Sequence, residues 1–308
     1  YKNTRFSFFN FFRRMKAYKK GFLLLQKPDL THGNILKNNM FFALYLKLKY
    51  GIPFVISEHW SGFRRENHNF GFLEKYKIKF ISHFASRIFP VSSDLKNGLN
   101  ALGISKPMQV IPNTVDLSLF YPSEKTNDRF TFLHISNLIP IKNADKILKV
   151  ALELWEEGWD FDLKIGGDGD LKPLENLAKQ SSFSEKIFLF GEQTHIQVSE
   201  LMRSSDAFIL FSSTENQPCV LAEAFATGIS VIATDVGGVR EFFPKNGGIL
   251  LSEVNETELK SAMKTILLQN FNFDKNGAVS FAKTHFSKEK IGEKFSEVYQ
   301  EILGNNCK

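Results

Sequence analysis

Two carboxylates eight residues apart, Glu215 and Glu223, sit in the run SSTENQPCVLAEAFATG from Ser212 to Gly228. The apolar stretch Ala207 to Phe211 reads as a buried parallel strand, and Ser212 to Gln217 as the turn leaving its carboxyl end. Pro218 suits the first helical position and Gly228 the helix stop. Unpaired N–H groups at such a helix start, reinforced by the helix dipole, form an anion site. Glu215 then stands at its mouth, with Glu223 about two turns along. A phosphate cradle beside two hydrogen-bond acceptors suits a ligand that is part phosphate and part sugar. The pair taken alone reads as one acid interacting with the helix dipole and one ordinary solvated glutamate, since acidic pairs at this spacing arise often by chance.

These residues need strands and helices to aim them, and the chain can supply both. Its 308 residues suffice for two α/β domains with separate cores. A hydrophobic fraction of 43% with 23% charged residues is that of a globular protein. No apolar stretch approaches the roughly 18 residues needed to cross a bilayer. Two cysteines argue against a disulfide framework, with Cys219 expected as a small buried thiol and Cys307 in a polar tail. A reducing cytoplasm is the expected compartment. The chain opens on Tyr1 without a signal-peptide pattern, so it is expected to begin inside a longer reading frame.

Charge is uneven. Residues 1–122 carry 19 Lys+Arg against 6 Asp+Glu, a net of +13, and the remainder 20 against 27, a net of −7. Arg5, Arg13, Arg14, Lys16, Lys19 and Lys20 interleave with Phe6, Phe8, Phe9, Phe11 and Phe12. That mix fits an anionic membrane surface, and equally a helix whose aromatics pack on a sheet while its cations are solvated. No nucleic-acid motif accompanies it, so nucleic acid is not an expected partner.

Phe6 to Gly21 reads as a helix. Leu23–Leu25 (leading to His32), Pro53–Ile56, Ile88–Val91 and Gln109–Ile111 follow as four strand candidates, with helices at Asn38–Tyr50 and Asp94–Leu102. A second series holds six: Phe130–Ile135, Asp162–Ile165, Ile187–Leu189, Ala207–Phe211, Val231–Ala233 and Gly248–Leu251. Alternation with helices predicts parallel sheets. A complete Rossmann-like domain has about six strands, so the first domain is expected to lack its opening strands and glycine-rich turn. The expected divisions are residues 1–122, residues 123–286, and a closing helix with tail at 287–308, with Pro112 to Asn127 as linker.

The stretch Ser212 to Phe243 resembles the donor-binding core of the retaining glycosyltransferases of family 4. Glu215 and Glu223 match that family's E-x7-E pair, and Val231 to Gly238 its next strand and glycine pair. Val110 to Asp116, with Phe120 and Pro122, looks like its interdomain segment. Its Gly-Arg-Leu…Lys-Gly stretch appears as Ser136-Asn137-Leu138…Lys142-Asn143, and Gly166 to Gly169 resembles its glycine turn. The resemblance implies the GT-B fold: α/β, two Rossmann-like domains whose parallel sheets face a central cleft, here with the first incomplete. It implies a nucleoside-diphosphate sugar, UDP- or GDP-linked, as donor and a saccharide or lipid-linked acceptor, with no metal and no cofactor.

The same resemblance distributes roles. Glu215 orients the transferred sugar, His59 contacts it, and Lys142 meets the charge of the departing diphosphate. Asn137 stands where the family has arginine, so one positive charge is absent. Glu223 accepts from ribose hydroxyls, and the N–H groups of Cys219 and Val220 hold the diphosphate. Gly167 in the glycine turn, Gly191 near the base, and Asn216 with Gln217 complete the expected donor site. His32, also at a strand end, competes with His59. The other readings are a GT-B sugar-nucleotide epimerase and a nucleotide-sugar-binding protein without transfer activity.

Overall fold

The computed structural model describes residues 7–64, 69–124 and 129–306; Arg5, Phe6, His68 and Cys307 lie outside the described residues. The chain divides into two compact units, one of residues 1–111 with 294–308 and one of residues 112–293.

The first unit contains α1 (Ser7–Leu23), β1 (Thr31–Asn34), α2 (Met40–Tyr50), β2 (Phe54–Glu58), α3 (Phe72–Phe84), β3 (Arg87–Pro90) and α4 (Ser93–Ala101). Among the described residues its parallel sheet has three strands, in the order β1-β2-β3, not four. Leu23–Leu25 is no strand: α1 runs through Leu23, and Leu24 and Leu25 close a turn by donating to the carbonyls of Gly21 and Phe22. Gln109 and Ile111 each donate one bond to β3, but prolines at 107 and 112 remove the donors a longer ladder needs.

The second unit contains β4 (Thr131–Ser136), α5 (Ala144–Glu156), β5 (Asp162–Gly167), α6 (Lys172–Lys179), β6 (Ile187–Phe190), α7 (His195–Arg203), β7 (Ala207–Leu210), α8 (Cys219–Thr227), β8 (Ser230–Thr234), β9 (Gly248–Leu251), α9 (Glu256–Leu267) and α10 (Lys275–Phe286). All six expected strands form, in the order β6-β5-β4-β7-β8-β9, every neighbouring pair parallel. This is the doubly wound order, with its switch point between β4 and β7, where ligands of such sheets collect. The helices form for local reasons. On α5 the apolar spacing buries Ile147, Leu148, Ala151, Leu154 and Trp155 against the sheet, and the Trp155 indole N–H donates to the Phe161 carbonyl at 3.0 Å. Each fully buried Leu contributes about 1.5–3 kcal/mol. At the start of α7, Thr194 and Gln197 bond reciprocally in a capping box. Gly228 ends α8 in the left-handed region at φ +74°. The final helix, α11 (Lys288–Asn306), contributes residues through Glu293 to the second unit and from Lys294 to the first.

The divisions therefore differ from the sequence expectation at residues 122 and 286. Residues 112–124 belong to the second unit, where Val115 donates to the Phe286 carbonyl at 2.8 Å. The aromatics of α1 split between the two readings of that helix. Phe11 packs edge-on against Phe41 of α2, whereas Phe9 and Phe12 are 61% and 54% exposed.

Candidate functional site

At the switch point the loop after β4 turns sharply. Leu138 and Asn143 both adopt left-handed backbone, at φ +50° and +51°. Such conformations persist where surroundings over-determine them. Here His134, buried in β4, must donate its Nδ1 proton to the Ile209 carbonyl at 2.9 Å, so its Nε2 accepts from the Ser136 hydroxyl at 2.9 Å. Ser136 in turn accepts from the Leu138 N–H at 3.1 Å. Burial, with the Lys142 charge adding to it, pushes the His134 pKa down to about 4, so the ring stays neutral. Asn143 braces the loop from the other side. Its amide donates to the Phe211 carbonyl at 2.8 Å and to the Ser213 hydroxyl at 2.9 Å, while Ser213 N–H donates to Ile141 at 2.7 Å.

This bracing ties the loop after β4 to the loop after β7 and brings their functional side chains together. Lys142 Nζ lies 2.5 Å from Glu215 Oε1, and Glu215 is buried. The pair borders a cavity of about 340 Å³, whose wall also includes Asn137, Gly167, Cys219 and Val220. Gly167 sits at φ +131°, and a Cβ there would lie 1.9 Å from the Ser136 carbonyl oxygen, so only glycine lets these strand ends meet. Six of the residues expected at the donor site therefore share one cavity.

The others stand elsewhere. Glu223 lies one turn into α8, not two as expected, because the helix starts at Cys219; it is half-buried and outside the cavity wall. Burial pushes its pKa up to about 7, and no group among the described residues bonds its carboxylate. Gln217 is buried and accepts from the Asn113 N–H at 2.6 Å, which fixes the entry to α8. Asn216 is buried and Gly191 exposed; neither lines the cavity. Gly191 has no atom near enough to forbid a side chain. Pro218 caps α8 from outside, so the helix starts one residue later than expected. Cys219 is exposed on the cavity wall, not buried, because it occupies the first turn facing the opening. The protein around it and the Glu223 charge push its thiol up to about 11.

His59 lies in the first unit, exposed just after β2, with its pKa lowered by the protein packed around the ring. His32 is engaged within that unit, bonding Tyr299 at 2.5 Å and Ser57 at 2.8 Å. The sequence reading did not place Asp168, Glu192 and Gln193 at the site, yet they also line the cavity. Each stands within three residues of the end of β5 or β6, so the strand-end rule could have found them. Among the described wall residues Lys142 thus faces three carboxylates: Asp168, Glu192 and Glu215.

Known proteins bear on this geometry. The uncharacterized glycosyltransferase MJ1178 of Methanocaldococcus jannaschii is 28% identical over 297 residues, covering 94% of this chain and 80% of its own. One human phosphatidylinositol N-acetylglucosaminyltransferase subunit is 26% identical over 204 residues, covering 63% of this chain and 41% of its own, so the chain spans less than half the length of that relative. The structure of Alr3699/HepE from Anabaena in complex with UDP-glucose superposes with a TM-score of 0.77 at 17% identity, covering 94% of this chain and 82% of that one. That likeness establishes the fold, an α/β architecture with two parallel Rossmann-like sheets. Residues 1–119 match the description Glycosyltransferase Family 4, and residues 119–279, more than half of the chain, match Glycosyl transferases group 1. The chain belongs to the glycosyl transferases group 1 family.

Proposed function

We propose that this glycosyltransferase takes its sugar from a nucleoside diphosphate, UDP- or GDP-linked, bound at the carboxyl ends of β4, β5 and β7, and transfers it with retention of configuration. The observation that carries this reading is the convergence of Lys142, Glu215 and the start of α8 on one cavity at the switch point. The diphosphate would sit on the N–H groups of Cys219 and Val220 and on Lys142, with no metal required. An arriving phosphate must then share or displace the Lys142–Glu215 pair. Glu215, relieved of its partner, would face the anomeric carbon and stabilise its developing positive charge. Ionised Glu223 would accept from the ribose hydroxyls. Retention follows if the acceptor attacks from the face the phosphate leaves, the phosphate taking its proton.

The acceptor in this reading is a saccharide or lipid-linked glycan of the cell envelope, met at an anionic membrane surface. No helix among the described residues is long and apolar enough to cross a membrane. The support for docking is α1, whose cations stand beside outward-facing Phe9 and Phe12. Binding without transfer is the second reading, favoured by one specific feature: a single cation against three carboxylates among the described wall residues, with Asn137 where a further cation would help. Incubation with labelled UDP- and GDP-sugars separates the readings. Nucleotide release that needs an acceptor means transfer, an altered sugar means epimerisation, and binding alone means a carrier.

A further inference from the structure

The first unit holds a second built site that the donor reading does not use. The loops after β1 and β2 are tied together by one buried carboxylate. Glu58 accepts from the Leu36 N–H at 2.6 Å through one oxygen and from the Trp60 N–H at 2.8 Å through the other. Burial pushes its pKa up to about 7, against the pull of these N–H groups and of Lys37. The first loop is strained: Ile35, a β-branched residue, adopts φ +66°. Strain of this kind, held by a dedicated buried anchor, marks a loop shaped for a ligand.

The two loops, with α1 and α3, enclose a cavity of about 520 Å³. Its apolar wall is Ile35, Trp60, Ile78 and Ile81, and its cations are Arg14, Lys37 and Lys77, against Glu74 as the acid among the described wall residues. Lys37 stands 3.9 Å over the Trp60 ring, and none of the three cations forms an ion pair with a described residue. Unneutralised cations on the rim of an apolar cavity fit an anion that carries an apolar or sugar body.

We infer that this cavity is an acceptor subsite for a phosphate-bearing molecule, the phosphate held by Arg14, Lys37 and Lys77 and its neutral part laid against Trp60 and Ile78. The label of acceptor rests on the glycosyltransferase reading above; the phosphate site itself does not. Two sources share the chemistry, a lipid phosphate and a soluble sugar phosphate.

Calorimetric titration of the chain, with no nucleotide sugar present, tests the site apart from the donor reading. Monomeric dihexanoyl phosphatidic acid should bind saturably, and zwitterionic dihexanoyl phosphatidylcholine much more weakly. Lys37→Gln and Lys77→Gln should each weaken the phosphatidic acid about tenfold, the loss of one charged hydrogen bond. Both positions are exposed, and unchanged melting would show that the variants fold. Competition by glucose 6-phosphate at equal strength assigns the site to a soluble acceptor; failure to compete assigns it to a lipid. Absence of saturable binding by both phosphates, or equal affinity in both lysine variants, overturns the proposal.

Discussion

The two cavities treat their cations in opposite ways, although both units contain ion pairs, Arg64–Asp94 and Arg87–Glu301 among those of the first. In the second unit Lys142 pairs with Glu215, Arg129 with Asp160 and Asp162, Lys260 with Glu153 and Glu157, and Lys288 with Asp116. In the first, Arg14, Lys37 and Lys77 border one cavity without an ion pair to a described residue. An anion reaching the second unit must enter by exchange, taking Lys142 from a buried carboxylate. An anion reaching the first finds cations with no ion pair to break among the described residues, though Lys37 already stands over the Trp60 ring. On the readings proposed above, the same ligand chemistry would meet a pre-formed lock in one unit and an open electrostatic rim in the other.

The largest effect expected lies in the lock. Glu215→Gln keeps the shape, removes the charge proposed to face the reacting carbon, and should lower transfer at saturating donor about a hundredfold to a thousandfold. Because Lys142 and Glu215 are in contact, a double-mutant cycle with Lys142→Met should depart from additivity by about 0.5–3 kcal/mol. Turnover unchanged by Glu215→Gln breaks the comparison at its centre.

Next comes Glu223. If ribose hydroxyls donate to its carboxylate, Glu223→Gln should weaken donor binding by about 1.5–3 kcal/mol at pH 8. With its pKa raised to about 7, the ionised acceptor accumulates as pH rises, so wild-type donor affinity should climb between pH 6 and 8. The variant's profile should be flat over that interval. Linkage gives the opposite sign for the empty protein. A carboxyl group whose pKa rises from 4.5 unfolded to about 7 folded costs stability as pH rises through that window. The melting temperature of Glu223→Gln minus that of wild type should therefore increase from pH 4.5 to 7. A constant difference contradicts the burial of Glu223.

A smaller gain is expected from Asn137→Arg. It adds a cation to a wall where Lys142 faces three carboxylates, and should tighten donor binding about tenfold, one charged hydrogen bond in calorimetry. Weaker binding would mean that the diphosphate does not pass Asn137.

Much of the second unit was legible because period and punctuation agree there. Its six strands are short apolar runs, and Thr194 with Gln197, or Gly228, mark helix ends by themselves. The approach of Lys142 to Glu215 was not legible. It depends on two left-handed residues and on Asn143 bridging loops some seventy residues apart, which no local pattern records. Cys219 misled because its type favours burial, whereas its place on the first turn of α8 decides its exposure. In the first unit Leu23–Leu25 carried strand-like composition but lay at the end of a helix, and α3 there, like α10 in the second unit, lies between stronger signals that mask it. Glu58 was equally silent, since a buried acid bonding two backbone N–H groups resembles any strand-end glutamate.

The most direct test of the donor site is calorimetric titration of UDP-glucose, UDP-N-acetylglucosamine and GDP-mannose into the wild-type chain and into Lys142→Ala. The expected result is saturable binding of at least one nucleotide sugar to wild type, weakened about tenfold or more when Lys142 is removed. Equal affinity of Lys142→Ala for that donor, or no binding of any of the three to wild type, would contradict it.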